Sequence, residues 1–229
     1  MKKYQPWVVL YATALLGDIV GVAAGLDHLH VFCKPLLMPL LIVGLFSNKK
    51  NIVSTPWQYI ATGLFCSWAG DLFLLYEARN PHFFIGGLAS FMVAHLCYIG
   101  YYFKCGASLS HAFKNHAGWC LLALAYSVGL VVLLLPKLGS LLIPVIAYAA
   151  VLTIMLITSI AAIGVVSKNV SVLFVIGASA FVFSDSLLAI NKFYQPFAMA
   201  GVLIMLTYGA AQLLITKAAI SNSKMQVSK

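Results

Sequence analysis

The sequence predicts an all-α fold, a polytopic membrane bundle of eight transmembrane helices. Two observations predict it. Hydrophobic residues make up 62% of the chain and charged residues only 8%, with a mean hydropathy of +0.99. A chain of 229 residues has no interior large enough to hide that much apolar surface from water. The apolar runs are also roughly 17–25 residues long, the length of a bilayer-spanning helix rather than of a barrel strand.

The runs place helices at 6–24, 31–46, 57–76, 82–103, 118–135, 141–166, 171–190 and 195–217. The first follows Lys2 and Lys3, as a signal peptide would. It carries Asp18 and lacks a clean small-x-small cleavage site, so it is expected to stay as a helix. A loop holding Asp27, His28 and His30 leads to the second, where Lys34 stands before Pro35, a ring tolerated at a helix start. The third carries Asp71 and the fourth carries His95 and Tyr98, with one short polar turn between them. A longer connection over 104–117 precedes the fifth helix, which offers little beyond Tyr126 and Ser127 and is expected at the periphery. The sixth contributes Tyr148, the seventh Ser184 and Asp185, and the eighth Tyr208 and Gln212. Residues 1–220 are read as one transmembrane domain and 221–229 as a polar, mobile cytoplasmic tail.

Charge then orients the bundle. The formal net charge of +9 does not indicate nucleic acid, because the basic residues cap the apolar runs instead of forming a patch with interleaved aromatics. Lys2, Lys3, Lys49, Lys50, Lys104, Lys114, Lys168, Lys217, Lys224 and Lys229 fall on one side, against Arg79, Lys137 and Lys192 on the other. The positive-inside rule makes both termini cytoplasmic, and a bacterial inner membrane is the expected setting. Five cysteines show no CxxC pair and read as small packing residues.

Orientation gives depth. Asp18, Lys34, Asp71, Tyr148 and Asp185 all fall in the non-cytoplasmic leaflet, with His95, Tyr98, Tyr208 and Gln212 deeper. A carboxylate in mid-membrane costs roughly 2.5–3.5 kcal/mol on insertion scales, so it normally faces a protein interior or a wet cavity. Structurally, each Asp could simply pair with Lys34 or cap a neighbouring helix. Functionally, two carboxyls in one partly dry pocket can share a proton, leaving one acid to donate it. That pairing suits hydrolysis of an acid-labile bond.

The other polar residues each carry two readings. Lys34 either snorkels to the interface or binds a phosphate or a carboxylate. His95 is either a satisfied core residue or a proton relay or water-orienting group. Tyr98, Tyr148, Tyr208 and Gln212 are either interhelical hydrogen-bonders or pocket walls, and the spacing of Tyr208 and Gln212 puts them on one face. Ser67 and Ser184 precede the aspartates, but no GxSxG elbow supports a serine nucleophile. No HExxH occurs, and no metal or other cofactor is expected.

A faint repeat runs through the chain. One constant offset lays Asp71 on Asp185, Tyr98 on Gln212 and Lys34 on Tyr148, as two parallel sets of four helices would. A transporter or flippase of a small amphipathic molecule is therefore the competing reading, and a metal-dependent intramembrane lipid hydrolase a third.

Six segments together resemble the YhhN-type lysoplasmalogenase family. They are CKPLLMPLL (33–41), FCSWAGDLFLL (65–75), FFIGGLASFMVAHLCYI (83–99), AYAAVLTIM (147–155), GASAFVFSDSLLAI (177–190) and TYGAAQLLI (207–215). Helices one and five match by hydrophobicity only, so no role for Asp18 is implied. The resemblance implies hydrolysis of the vinyl ether bond of lysoplasmalogens to a fatty aldehyde and glycerophosphoethanolamine or glycerophosphocholine. The partners would be that substrate and the surrounding membrane lipids. Asp71 and Asp185 would be the acid–base pair with His95 assisting, and Lys34, Tyr98, Tyr148, Ser184, Tyr208 and Gln212 would shape the substrate pocket.

Overall fold

A computed structural model describes residues 5–48 and 56–227. These form eight α-helices: α1 (Pro6–Ala24), α2 (Asp27–Ser47), α3 (Trp57–Leu75), α4 (Pro81–Lys104), α5 (Leu109–Leu134), α6 (Leu142–Ala161), α7 (Lys168–Ala189) and α8 (Ala200–Val227). Seven of them are long and apolar enough to cross a membrane. The eighth, α3, falls short of that measure because Gln58, Ser67 and Asp71 interrupt its apolar surface. Large apolar side chains such as Leu16, Phe32, Leu121, Val128 and Ile143 point outward and exposed, as lipid-facing residues must. The chain is thus an integral, multi-pass membrane protein.

Packing is dominated by the sequential hairpins α1–α2, α3–α4, α5–α6 and α7–α8. Short connections make each an antiparallel pair. Helix α8 is central and also packs on α1, α2 and α3. Its span is 56% buried, whereas that of α5 is only 17% buried, which leaves α5 at the edge as expected.

Small residues let the helices approach closely. A Cβ added at Gly177 of α7 would stand 2.9 Å from Ile215 Cγ1 and 3.3 Å from the Ala211 carbonyl oxygen of α8. At Gly63 of α3 it would stand 2.4 Å from the Tyr98 ring of α4. Polar ties then fix the register. Tyr11 donates to the Gly209 carbonyl at 2.9 Å, joining α1 to α8. Tyr98 donates to Gln212 Oε1 at 2.7 Å, and Gln212 Nε2 donates to Ser67 Oγ at 2.9 Å, so α8 is bound to α4 and α3 at once.

Several boundaries differ from the expectation. Helix α2 begins at Asp27, so His28 and His30 lie in its first turns and not in a loop. Lys34 is therefore inside the helix and only 9% exposed, which excludes free snorkelling. Pro39 lacks the N–H that would bond the Pro35 carbonyl, and the Trp68 indole supplies the missing donor at 2.9 Å. Helix α5 starts at Leu109 and bends at His116 (φ −136°), so most of the presumed 104–117 loop is helical. Its polar residues Ser110, His111, Lys114 and Asn115 disguised it. Helix α6 stops at Ala161, ahead of the left-handed Gly164 (φ 82°), not at Val166.

At the other end, α7 continues into a π-helical turn, Ile190–Tyr194, and α8 begins at Ala200 rather than at Gln195. Helix α8 also runs through the stretch read as a tail. Asn222 and Ser223 are buried, and Asn222 Nδ2 donates to Tyr101 Oη at 3.4 Å. Lys2, Lys3, Lys49, Lys50 and Lys229, which weighed in the orientation, lie outside the described residues.

Candidate active site

Helices α1, α2, α3, α4, α7 and α8 converge at one end of the bundle around a pocket of about 250 Å³. Its polar wall carries Asp71, Asp185, Lys34, His30, Ser184 and Tyr208. Both aspartates are therefore on one cavity, although they come from helices far apart in the chain. The α7–α8 hairpin brings Asp185 alongside Tyr208, and α8 in turn packs against α3, which carries Asp71.

Each carboxyl is held by one tyrosine. Tyr208 of α8 donates to Asp71 Oδ2 at 2.7 Å, and Tyr148 of α6 donates to Asp185 Oδ2 at 2.5 Å. The Oδ1 atom of each has no hydrogen-bond partner among the described residues. A phenol fixing one oxygen restricts the carboxyl's rotation, which matters because proton transfer needs the acid within hydrogen-bond reach of its target. Removing either hydroxyl should forfeit about 1.5 kcal/mol of positioning, so Tyr148→Phe and Tyr208→Phe should each lower turnover roughly tenfold. Steady-state rates of the purified variants check this.

A second, narrower crevice of about 50 Å³ opens between α4, α6 and α7 and shares Asp185, Leu74, Phe91 and Leu188 with the pocket. It is otherwise apolar, lined by Phe84, Leu88, Val145 and Phe193 together with Tyr148. Asp185 thus stands where a polar hollow meets an apolar one. A larger groove of about 570 Å³ lies between α5, α6 and α7, but Trp119, Leu122, Leu156 and Ile160 line it without any acid or base beside the Tyr126 phenol. Its size does not make it the site.

The residues singled out in the sequence separate into two layers. Lys34, Asp71, Ser184, Asp185 and Tyr208 line the pocket, and Tyr148 reaches it through Asp185. Ser184 Oγ donates to the Ile204 carbonyl at 3.1 Å and so ties α7 to α8. Tyr98 and Gln212 lie deeper, bonded to each other and to Ser67, outside the lining. His95 is fully buried between the rings of Phe181, at 4.5 Å, and Tyr148, at 5.4 Å. Neither of its ring nitrogens meets a hydrogen-bond partner among the described residues. His30, Glu77 and Asn191 also line the pocket and were not anticipated. Asn191 belongs to the π-helical turn, a distortion that recurs next to functional sites. Among the described residues, no three His, Cys, Asp or Glu side chains are grouped to hold one metal ion.

The fold and pocket define a class: a multi-pass membrane protein with two carboxyls on one cavity of its helical bundle. The chain belongs to the YhhN family, whose model matches residues 29–219. It is 32% identical over 194 residues to the lysoplasmalogenase TMEM86B of Mus musculus, covering 83% of this chain and 74% of that protein. It is 34% identical over 164 residues to the Homo sapiens lysoplasmalogenase TMEM86B, covering 71% and 64%. With the lysoplasmalogenase of Mycobacterium bovis it shares 33% identity over 161 residues, 69% of this chain and 59% of that one. No solved structure matches the chain.

Proposed function

We propose that this protein is a lysoplasmalogenase, cleaving the vinyl ether bond of a single-chain lysophospholipid inside the membrane. The observation that carries the reading is the presence of Asp71 and Asp185 on one pocket wall, each steadied by a tyrosine. Relatives named lysoplasmalogenase support it.

A vinyl ether is broken by protonating its β-carbon. The π electrons take the proton, and the positive charge moves to the carbon bonded to oxygen. Water adds to that oxocarbenium carbon, giving a hemiacetal. The bond from the hemiacetal carbon to the glycerol oxygen then breaks, that oxygen takes a proton, the hemiacetal hydroxyl loses one, and the aldehyde leaves. One carboxyl of the pair supplies the first proton. The other, as carboxylate, stabilises the cation and accepts a proton from the attacking water. The division of labour parallels that of glycosidases, whose transition state is also oxocarbenium-like. The narrow crevice beyond Asp185 suits the first carbons of the alkenyl chain, and the polar pocket suits the glycerol end. Tyr98 and Gln212 hold α4 and α8 together below the site. His95, packed against Tyr148, keeps that tyrosine aimed at Asp185.

The setting we propose is a bacterial inner membrane with both termini cytoplasmic, which the lysine bias of the loops supports. We also read the chain as two halves, α1–α4 and α5–α8. Pairs that correspond under that division recur in the packing: α3–α4 with α7–α8, α2–α3 with α6–α7, and α4–α6 with α2–α8. Tyr98 and Gln212, bonded across the bundle, are 114 positions apart, the offset that also relates Asp71 to Asp185.

The test is product analysis. Purified protein given a 1-alkenyl lysophospholipid should release aldehyde and the glycerophosphodiester in equal amounts, and should leave the ester-linked analogue intact. Passage of the lipid across proteoliposomes without any aldehyde would overturn the proposal in favour of a carrier.

A further inference from the structure

His30 and Lys34 stand four residues apart on α2, hence on one face, and both line the pocket. Neither is needed to move the protons described above. Behind His30 sits Asp18 of α1, 0% exposed, with Oδ1 2.7 Å from His30 Nδ1 and Oδ2 without a hydrogen-bond partner among the described residues. The contact is built into the hairpin. A Cβ added at Gly21 would lie 2.8 Å from the His30 backbone nitrogen, and one at Gly17 would lie 2.8 Å from Cys33 Sγ, so α1 and α2 meet at this distance only because those side chains are missing. With Nδ1 taken by Asp18, the remaining ring nitrogen is Nε2, and which nitrogen serves a ligand is set by what the other one bonds.

Lys34 supplies the second half of the argument. It is nine-tenths buried, yet no carboxylate lies within 4 Å of its ammonium among the described residues. Asp71 across the pocket attracts it from beyond ion-pair distance, so the buried ammonium is only incompletely paired, which is costly. Asp71 and Asp185 are each engaged by a tyrosine, and Glu77 on the same wall is paired with Lys192 at 3.3 Å. Two basic groups thus share one helical face on one hollow, and the buried Asp18 carboxylate stands behind the imidazole.

We infer that His30 and Lys34 form a subsite for the phosphodiester of the single-chain substrate, and that Asp18 is the positioning residue that holds His30 for it. The inference rests on the lysoplasmalogenase reading for the identity of the lipid. A phosphodiester presents one negative charge over two free oxygens, one for the ammonium and one for the imidazole N–H. Its glycerol carbons then span the distance toward the carboxyl pair. The headgroup so anchored fixes which bond of the lipid comes to Asp71 and Asp185.

Binding of unreactive lipids tests this without requiring turnover. The probes are a saturated 1-O-alkyl lysophospholipid and the 1-O-alkylglycerol of the same chain, titrated into purified protein in detergent. Unaltered protein should prefer the phosphodiester about tenfold or more, and His30→Gln, Lys34→Gln and Asp18→Asn should each collapse that ratio toward one. The ratio isolates the headgroup, since a merely structural defect weakens both lipids together. The Lys34 ammonium makes no hydrogen bond among the described residues, so Lys34→Gln serves if the other variants fail to fold. A ratio unchanged in the folded variants, or absent from the unaltered protein, overturns the subsite. Inorganic phosphate displacing the lysophospholipid as well as glycerophosphoethanolamine does would overturn a lipid headgroup as its occupant. Preference for the phosphodiester without aldehyde release from an alkenyl substrate would instead overturn the lysoplasmalogenase reading and leave the subsite standing.

Discussion

Asp71→Asn and Asp185→Asn should each lower aldehyde release by at least about a hundredfold, the lower end of what a positioned proton donor or acceptor contributes. The substitution keeps shape and volume. It also keeps an amide oxygen able to accept the tyrosine hydroxyl, so α3–α8 and α6–α7 should remain joined and the variants should fold. What is lost is the ability to give or take a proton. Because the two carboxyls act on consecutive steps of one reaction, the double variant should fall little further than the worse single one. Rates beside melting curves in detergent check this, and near-native turnover from both single variants would remove the carboxyl pair from the mechanism.

Gly177→Val should be the most damaging packing change. The Cβ position meets Ile215 Cγ1 at 2.9 Å, and behind it the Ala211 carbonyl oxygen and Ile215 backbone nitrogen, both at 3.3 Å, so backbone faces backbone. A flexible side chain could step aside, but two helix backbones already in close approach cannot. The cost expected of overpacking is about 1–3 kcal/mol, which should lower the melting temperature by roughly 5 °C. Activity should fall as well, because Asp185 lies about two turns farther along α7 and Ser184 beside it ties α7 to the Ile204 carbonyl of α8. Prying the two helices apart moves one carboxyl relative to Tyr208. An unchanged melting temperature would contradict the close approach of α7 and α8.

How far the sequence disclosed this site depended on the contrast between a residue and its surroundings. Asp71 and Asp185 stand alone in apolar runs, so their charge marked them, and the orientation of helices three and seven set them at one depth. The ends of α1 were equally legible, with Pro6 opening it and Gly25 closing it in the left-handed conformation. His30 was not legible, because Asp27, His28 and His30 precede the apolar run and read as loop. Helix α2 starts at Asp27, and only from that start does the four-residue spacing of His30 and Lys34 become a shared face. The beginning of α5 was hidden for the same reason. Partners across the bundle could not be read at all. Tyr98 and Gln212 had the right depth, but that they bond each other, away from the pocket lining, depends on how α4 meets α8. The burial of Asp18 against His30 followed from Gly17 and Gly21, small residues whose closeness to α2 no periodicity reveals.

Deuterium placement tests the central claim most directly. Purified protein turning over an alkenyl lysophospholipid in heavy water, with the aldehyde trapped as it forms, should give product carrying a single deuterium on the carbon next to the carbonyl, delivered from an exchanged carboxyl of the Asp71 and Asp185 pair. Aldehyde without that label, or label-bearing aldehyde formed just as fast by the two asparagine variants, would contradict it.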